Sequence, residues 1–439
     1  MQKKRFLRTG GLVLFVMLLV ITSGAAQAAE FNWRKQEGTT LRVMLSKSAF
    51  TPMNQEFIKE FEKKTGIKVI EESYGSAPLR QKLSLELLAK NKDLDVFQGM
   101  GKTDLEYYRA GWVTPLDDFL KNTALTAPDY DYADIFPKVR AIIDGKTVGL
   151  TMSMNPVVLM YRKDLFEQYK VKVPTNWKDL EEAAKKLTLD TDGDGKTDIY
   201  GWIARMNEEN TAIFSLFLFS NGAEWLDKNN KPVFNSPKAV EALKYYGQLL
   251  KNYGPPGGST IGWQQVIGAF AQGKAAMTTE ISIFADMVLE NPKQSKVAGK
   301  IGYAYLPPAR PEYATMLLPT NDYHISAYSQ KKEAAWLFIQ FMTDKTRLLA
   351  YQLKMMPTSR KSAWMDPKFK AADKLPELTK IQYEGIQKGI VQYEIPITAF
   401  DEARPYLSRM IYSAYEGGDV QKTANETVKS IEEIMKKTK

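Results

Sequence analysis

The chain reads as an α/β protein built in two lobes. Its opening alternates strand-patterned and helix-patterned segments, its strand ends run into glycine-bearing loops of the kind at which α/β sheets bind ligands, and its 439 residues exceed what one hydrophobic core usually supports. No internal repeat or low-complexity tract interrupts this pattern.

Taken in order, Leu41, Val43 and Leu45 alternate as in a half-buried strand. Thr51-Pro52 then starts a helix whose apolar stripe is Met53, Phe57, Ile58 and Phe61; Gly66 stops it and "IKVI" supplies a second strand. "LDVFQGM" gives a third strand ending in Gly99 and Gly101, with short helices expected around Leu105–Ala110 and Pro115–Leu120. "VVLMYRKDLFEQYKV" joins a buried strand to a short helix. Thr175 is expected to cap a helix carrying Trp177, Leu180, Ala184 and Leu187 on one face, and "IYGWIA" beyond it reads as a strand.

The first residues carry an export signature. Lys3, Lys4, Arg5 and Arg8 precede an apolar run from Leu12 to Ile21, and the small-residue triplet Ala26-Gln27-Ala28 follows. Those ten apolar residues are about half of the roughly twenty that a spanning helix needs. Residues 1–28 are therefore expected to be a cleaved signal peptide with the mature chain starting at Ala29, the alternative being an uncleaved membrane anchor. With no cysteine in the chain, neither a disulfide framework nor a lipid-anchoring cysteine is available. A periplasm is the simplest expected location and plain secretion the second.

Net charge is +9, of which the signal contributes four positive charges and no acid, so the remainder is only mildly basic. Basic and acidic residues interleave on helix faces, as in "EFIKEFEKKTGIK", which is not the footprint of a nucleic-acid-binding surface.

Catalytic chemistry finds few components. His324, the sole histidine, lies in the strand-like "YHISAY" and reads as a structural residue; no G-x-S-x-G elbow is present, and one histidine without cysteine cannot assemble the common zinc sites. A glycosidase needs only two carboxylates, and 51 acidic residues leave that alternative open.

The ordered set "FIKEFEKKTGIKVI", "LDVFQGM", "DGKTVGL", "LMYRKDLFEQYKV", "PTNWKDLEEAAKKL", "FAQGKAAM", "GYAYLPPA" and "HISAYSQKKEAAWLFIQFMTD" resembles the bacterial extracellular solute-binding proteins of ABC importers, in their maltose-binding-like, carbohydrate-type branch. The resemblance spans residues 41 to 360. It implies a periplasmic-binding-protein-like fold with a ligand cleft between discontinuous lobes: residues 29–150 with 283–328, and residues 151–282 with 329–439. The crossings are expected near Leu150–Pro156, Glu280–Ile283 and Tyr328–Lys332. It further implies a monomer that captures a carbohydrate, with an oligosaccharide the expected solute, and delivers it to ABC permease subunits without changing it. Relatives in the wider family take up other solutes, and an anionic one would require convergent arginines, for which Arg80 and Arg205 are the candidates.

Site candidates follow from positions beside the matching segments. Phe50 follows the first strand with the polar "SKS", Tyr74 follows the second, and Gln98 with Met100 follows the third. Asn321, Asp322 and Tyr323 stand where the family carries a small-residue and aromatic motif. "TTEIS" replaces a glycine and aromatic group, which makes Glu280 a candidate hydroxyl acceptor, and Trp202, Trp225 and Trp263 are candidate platforms for a sugar face.

"LDTDGDGKTD" resembles half of an EF-hand loop. With Asp190 at position one, Asp192, Asp194 and Asp198 fall at three, five and nine and Gly195 at six, but the twelfth position is Gly201 and no second helix follows. Two readings stand: a structural calcium ion held by Asp190, Asp192, Asp194 and Asp198, as in some members of the family, or an Asx/Gly turn between helix and strand.

Overall fold

The computed structural model describes residues 30–313 and 316–437; the expected signal peptide, its cleavage site and Ala29 lie outside the described residues. Among the described residues ten strands are seen: β1 (Thr40–Ser46), β2 (Lys68–Tyr74), β3 (Val96–Met100), β4 (Ile142–Ile143), β5 (Lys146–Thr147), β6 (Leu150–Met154), β7 (Val157–Arg162), β8 (Met277–Ile281), β9 (Ile301–Ala304) and β10 (Thr320–Ile325). The first lobe is built on a five-stranded sheet of order β2-β1-β3-β10-β6, and the second on a three-stranded sheet of order β8-β7-β9. β1 runs parallel to β2 and β3, whereas β10 runs antiparallel to β3 and β6.

The opening β-α-β forms as its pattern dictates. The helix Thr51–Thr65 buries Phe57, Ile58 and Phe61, and Gly66 ends it at φ 71°, a left-handed conformation that glycine adopts without a Cβ penalty. Its N-cap is Phe50 rather than a hydroxyl residue, and Pro52 occupies the first turn, where a missing N–H costs no hydrogen bond. The helix expected after Thr175 spans Trp177–Lys186 and is capped by Asn176, whose side chain accepts from the Asp179 N–H; the Thr175 hydroxyl donates to the Asp179 carboxylate instead. "IYGWIA" forms parallel bridges, Tyr200 to Ala275 and Ile203 to Thr278, rather than a continuous strand.

The lobe boundaries differ from the expected ones. The chain crosses at Asn155-Pro156, between β6 and β7, but Glu280–Ile283 is not a crossing: β9, placed by sequence in the first lobe, pairs with β7 in the second-lobe sheet. The second crossing lies between β9 and β10, where the Val157 N–H donates to the Leu317 carbonyl and the Asn155 N–H to that of Pro319. Tyr328–Lys332 is not a crossing either. The helix Lys332–Met342 packs on β10 and β6, Tyr351 donates to Asn54, and the Arg360 guanidinium donates to the Tyr130, Asp131 and Thr343 carbonyls, so this stretch belongs to the first lobe. The chain returns to the second lobe through the helix Pro376–Lys388, which touches β9, and the helix Phe400–Glu416 then packs on Pro237–Tyr253 and Asn210–Ser220. Lobe membership is decided by strand pairing across long sequence separations, which local periodicity does not encode.

His324 is a buried strand residue of β10. One ring nitrogen, Nδ1, lies 2.9 Å from the Val148 carbonyl and the other, Nε2, 3.3 Å from the Asp104 carboxylate. Burial pulls the imidazole pKa down, and the Asp104 and Asp322 carboxylates outweigh this to leave it raised. A Cβ on Gly99 would lie 2.9 Å from Nε2 and one on Gly149 2.8 Å from Nδ1, so the ring is seated between two glycines by close approach.

Candidate ligand-binding cleft

A cavity of about 360 Å³ lies between the two sheets, at the crossings. The first lobe lines it with Phe50, Gln98, Met100, Lys102 and Asn321, and the second with Arg205, Trp263 and Phe284. β1 and β3 end side by side at its edge, where the Ser46 N–H donates to Gln98 Oε1 at 3.0 Å. Asn155, at the first crossing, is buried and lines the cavity, and its Oδ1 has no hydrogen-bond partner among the described residues. Asn321 Nδ2 donates to Ser153 Oγ at 3.0 Å. Trp263 opens the helix Trp263–Ala271, and its ring stacks on Phe284.

The buried cations that line the cavity are already paired. The Arg205 guanidinium holds Glu280 through both oxygens, at 2.5 and 2.6 Å, and approaches Glu209 at 3.6 Å. Lys102 Nζ is 2.9 Å from Glu394, and Arg404 lies 3.9 Å from Glu394 and 3.4 Å from Asp401. What remains facing the cavity is one exposed lysine, Lys47, together with hydroxyl and amide groups, apolar side chains and aromatic rings. Such a lining suits an uncharged ligand with both C–H and hydroxyl surfaces.

The model for bacterial extracellular solute-binding proteins matches residues 46–346. The chain belongs to that family. Among its relatives, the mannitol-binding protein of Pseudomonas aeruginosa is 31% identical over 278 residues, covering 61% of this chain and 60% of that protein's length. The erythritol/L-threitol-binding protein of Mycolicibacterium smegmatis is 27% identical over 72% of this chain and 69% of its own. Two solved solute-binding proteins cover 91% of this chain and 99% of theirs: one from Agrobacterium vitis with bound D-mannitol (28% identical, TM-score 0.76) and one from Agrobacterium radiobacter with ribitol (26%, TM-score 0.80). As a solute-binding protein the chain has no need of a catalytic pair, and the glycosidase alternative falls away.

Within this solute-binding protein, the site candidates divide. Phe50, Gln98, Met100, Trp263 and Asn321 line the cavity. Trp202 does not: it is fully buried against Phe217 in the second-lobe core. Trp225 is equally buried, and its Nε1 donates to Ser215 and to the carbonyl of Tyr393, which itself lines the cavity. Tyr323 is fully buried on the helix-covered face of β10, edge-on to Phe338; the register shift between Asn321 and Asp322 separates its environment from that of Asn321. Tyr74 ends the edge strand β2, donates to Glu72 and carries Lys82 over its ring, outside the cavity lining. Asp322 lies beneath the floor, accepting from Thr151 and from Thr320, which lines the cavity; burial and then the Asp104 charge push its carboxyl up to about 7. Glu280 has both oxygens committed to Arg205, so it is a support for Arg205 and not a hydroxyl acceptor.

Lys102, Asn155, Phe284, Glu394 and Arg404 also line the cavity and are not among the candidates read from sequence. Asn155 sits inside the expected crossing Leu150–Pro156, which is a usable signal; the others lie in segments with no local mark.

None of the four aspartates of the loop lines the cavity. The carboxylates of Asp190, Asp192 and Asp194 bring oxygens within 4.8 Å of one another, all exposed. Asp190 also accepts from the N–H groups of Gly193 and Gly195, and Asp198 is turned onto Thr191, which holds both carboxyls below their ordinary pKa. Three convergent oxygens fit a hard cation in part, but the fourth aspartate of the expected ligand set is engaged elsewhere.

Proposed function

We propose that the chain captures an uncharged polyhydroxylated solute, an acyclic polyol or a monosaccharide of similar size, and hands it to an ABC permease from the periplasmic side as a monomer. The pairing of the buried cations in the lining carries this reading. A neutral ligand need not displace Glu280 or Glu394, whereas an anion would compete with them for Arg205, Lys102 or Arg404 at the cost of leaving a buried carboxylate unpaired. The cavity of about 360 Å³ is at the lower end of ligand pockets, which favours a single sugar alcohol over the oligosaccharide expected from sequence. The polyols named for the mannitol-binding relative and for the two solute-binding structures support the same class. Buried Asn155 Oδ1 is the acceptor we assign to a ligand hydroxyl.

Isothermal titration of the purified protein with mannitol, ribitol, glucose, maltose and maltotriose tests the reading. Micromolar or tighter binding of a polyol or monosaccharide is expected. Binding confined to maltose and maltotriose, or to none of the panel, rejects it. We further propose export with cleavage after Ala28, and a structural calcium ion on Asp190, Asp192 and Asp194.

A further inference from the structure

Five charged side chains of alternating sign connect the lobes along one side of the cavity. Lys102, in the turn Gly101–Thr103 that follows β3, belongs to the first lobe and places Nζ 2.9 Å from Glu394 Oε2. Glu394 belongs to the second lobe, where its Oε1 accepts from the Thr211 hydroxyl at 3.0 Å. Arg404 lies between Glu394 and Asp401 on the same lobe, and Arg80 of the first-lobe helix Ser76–Leu88 reaches Asp401 at 3.3 Å. Gln392 adds a neutral contact by donating to the Lys102 carbonyl at 3.3 Å.

The inner pair differs from an ordinary surface salt bridge. The side chains of Lys102 and Glu394 are only 9% and 1% exposed. Burial pulls the Lys102 ammonium pKa down, with Glu394 opposing, so a closed cleft without Glu394 would strand a desolvated charge. Separating the lobes must break both Lys102–Glu394 and Arg80–Asp401, because each joins residues of different lobes.

We propose that Lys102 and Glu394 are positioning residues for solute binding, forming a cross-lobe latch whose closure sets the affinity for an uncharged ligand. This rests on the ligand class given above. The retention of a neutral solute then depends on ion pairs that the solute does not make itself. Such pairs act mainly on the rate of release, since they form after the lobes meet.

Titration of mannitol and ribitol into the parent, Lys102→Met, Glu394→Gln and the double variant tests the latch, with circular dichroism confirming that each is folded. Each single variant is expected to bind about tenfold or more weakly, through faster release, and the double variant no worse than the weaker single one. Unchanged affinities, or losses that add in the double variant as for two independent ligand contacts, overturn the proposal. Should Glu394→Gln fail to fold because Arg404 and Thr211 lose their partner, Lys102→Met and a salt series decide. Between about 0.05 and 0.5 M salt the buried Lys102–Glu394 pair is screened little and the more exposed Arg80–Asp401 pair more, so Lys102→Met is expected to bind an uncharged polyol about tenfold more weakly than the parent throughout the series, and Arg80→Met to lose most of the parent's salt dependence. Equal affinities of the parent and Lys102→Met across the series overturn the latch. A parent that binds neither polyol rejects the ligand class alone; the inter-lobe distance between two spin labels, placed on cysteines introduced into this cysteine-free chain, then decides. That distance is expected to be longer in Lys102→Met than in the parent, and equal distances overturn the latch.

Discussion

Trp263 and Phe284 lie face to face, ring centroids 5.1 Å apart and planes within 11°, although one opens a helix and the other follows β8. The pair gives the second lobe a rigid apolar wall opposite Gln98 and Asn321, and Trp263 is only partly buried. Trp263→Ala should therefore weaken polyol binding by ~1–3 kcal/mol, about five- to a hundredfold, with little loss of melting temperature. Calorimetric titration beside thermal melting reads both quantities, and unchanged affinity would remove Trp263 from the site.

Trp202 and Tyr323 should behave in the opposite way. Each is fully buried, so truncation to alanine leaves a cavity costing about 3–5 kcal/mol of stability. The expected result is a lower denaturant midpoint for Trp202→Ala and Tyr323→Ala with polyol affinity within about twofold in the folded fraction. A selective loss of affinity in a stable Tyr323→Ala protein would contradict its placement in the core.

Glu106 introduces a pH dependence. It lies on the first-lobe helix Asp104–Arg109, near Asp401 of the second lobe; burial and then the Asp401 charge push its carboxyl from 4.5 up to about 8, with Arg404 opposing. With the lobes apart it should titrate near its ordinary value, so closure takes up a proton. Closed-state stability is then full below about pH 4.5, falls through the window up to about 8 and levels off above it. Polyol affinity should be several-fold lower at about pH 8.5 than at about pH 6, with partial exposure keeping the slope below the tenfold-per-unit ceiling. Asp322 titrates in the same window within the first lobe, and Glu106→Gln separates the two by flattening only the inter-lobe part.

For the aspartate loop, chelation should lower the melting temperature of the parent and leave polyol affinity unchanged, since none of the four aspartates lines the cavity. The double variant Asp192→Ala, Asp194→Ala should lose that chelator response. Identical melting curves with and without chelator in the parent would leave the loop as the hydrogen-bonded turn closed by Asp190 and Thr191.

Local pattern was enough to read the first three strands and the Thr51–Thr65 helix, because each has a period or a break confined to a few residues. It could not separate Trp263 from Trp202. Both follow glycine in similar apolar surroundings, and only the packing of Phe217 and Phe284 from distant segments makes one core and the other cavity wall. For the same reason β9 and the helix Lys332–Met342 were assigned to the wrong lobes. The ion pairs were invisible for a further reason: Lys102 and Glu394 are separated by about two thirds of the chain, and neither has a local feature distinguishing it from a solvated surface charge.

The position of β10 also governs how the molecule can be assembled. This strand lies between β3 and β6, yet it is made after every strand of the second-lobe sheet. A chain growing from its N-terminus can join β2, β1 and β3, but β3 and β6 keep open, unpaired edges until residues 320–325 arrive. The first lobe to begin is thus the later one to complete its sheet, which makes folding slow through high contact order and leaves partial chains prone to edge-to-edge association. Fragments ending before Thr320 should accumulate as aggregates, and neither lobe can be released intact by one cut.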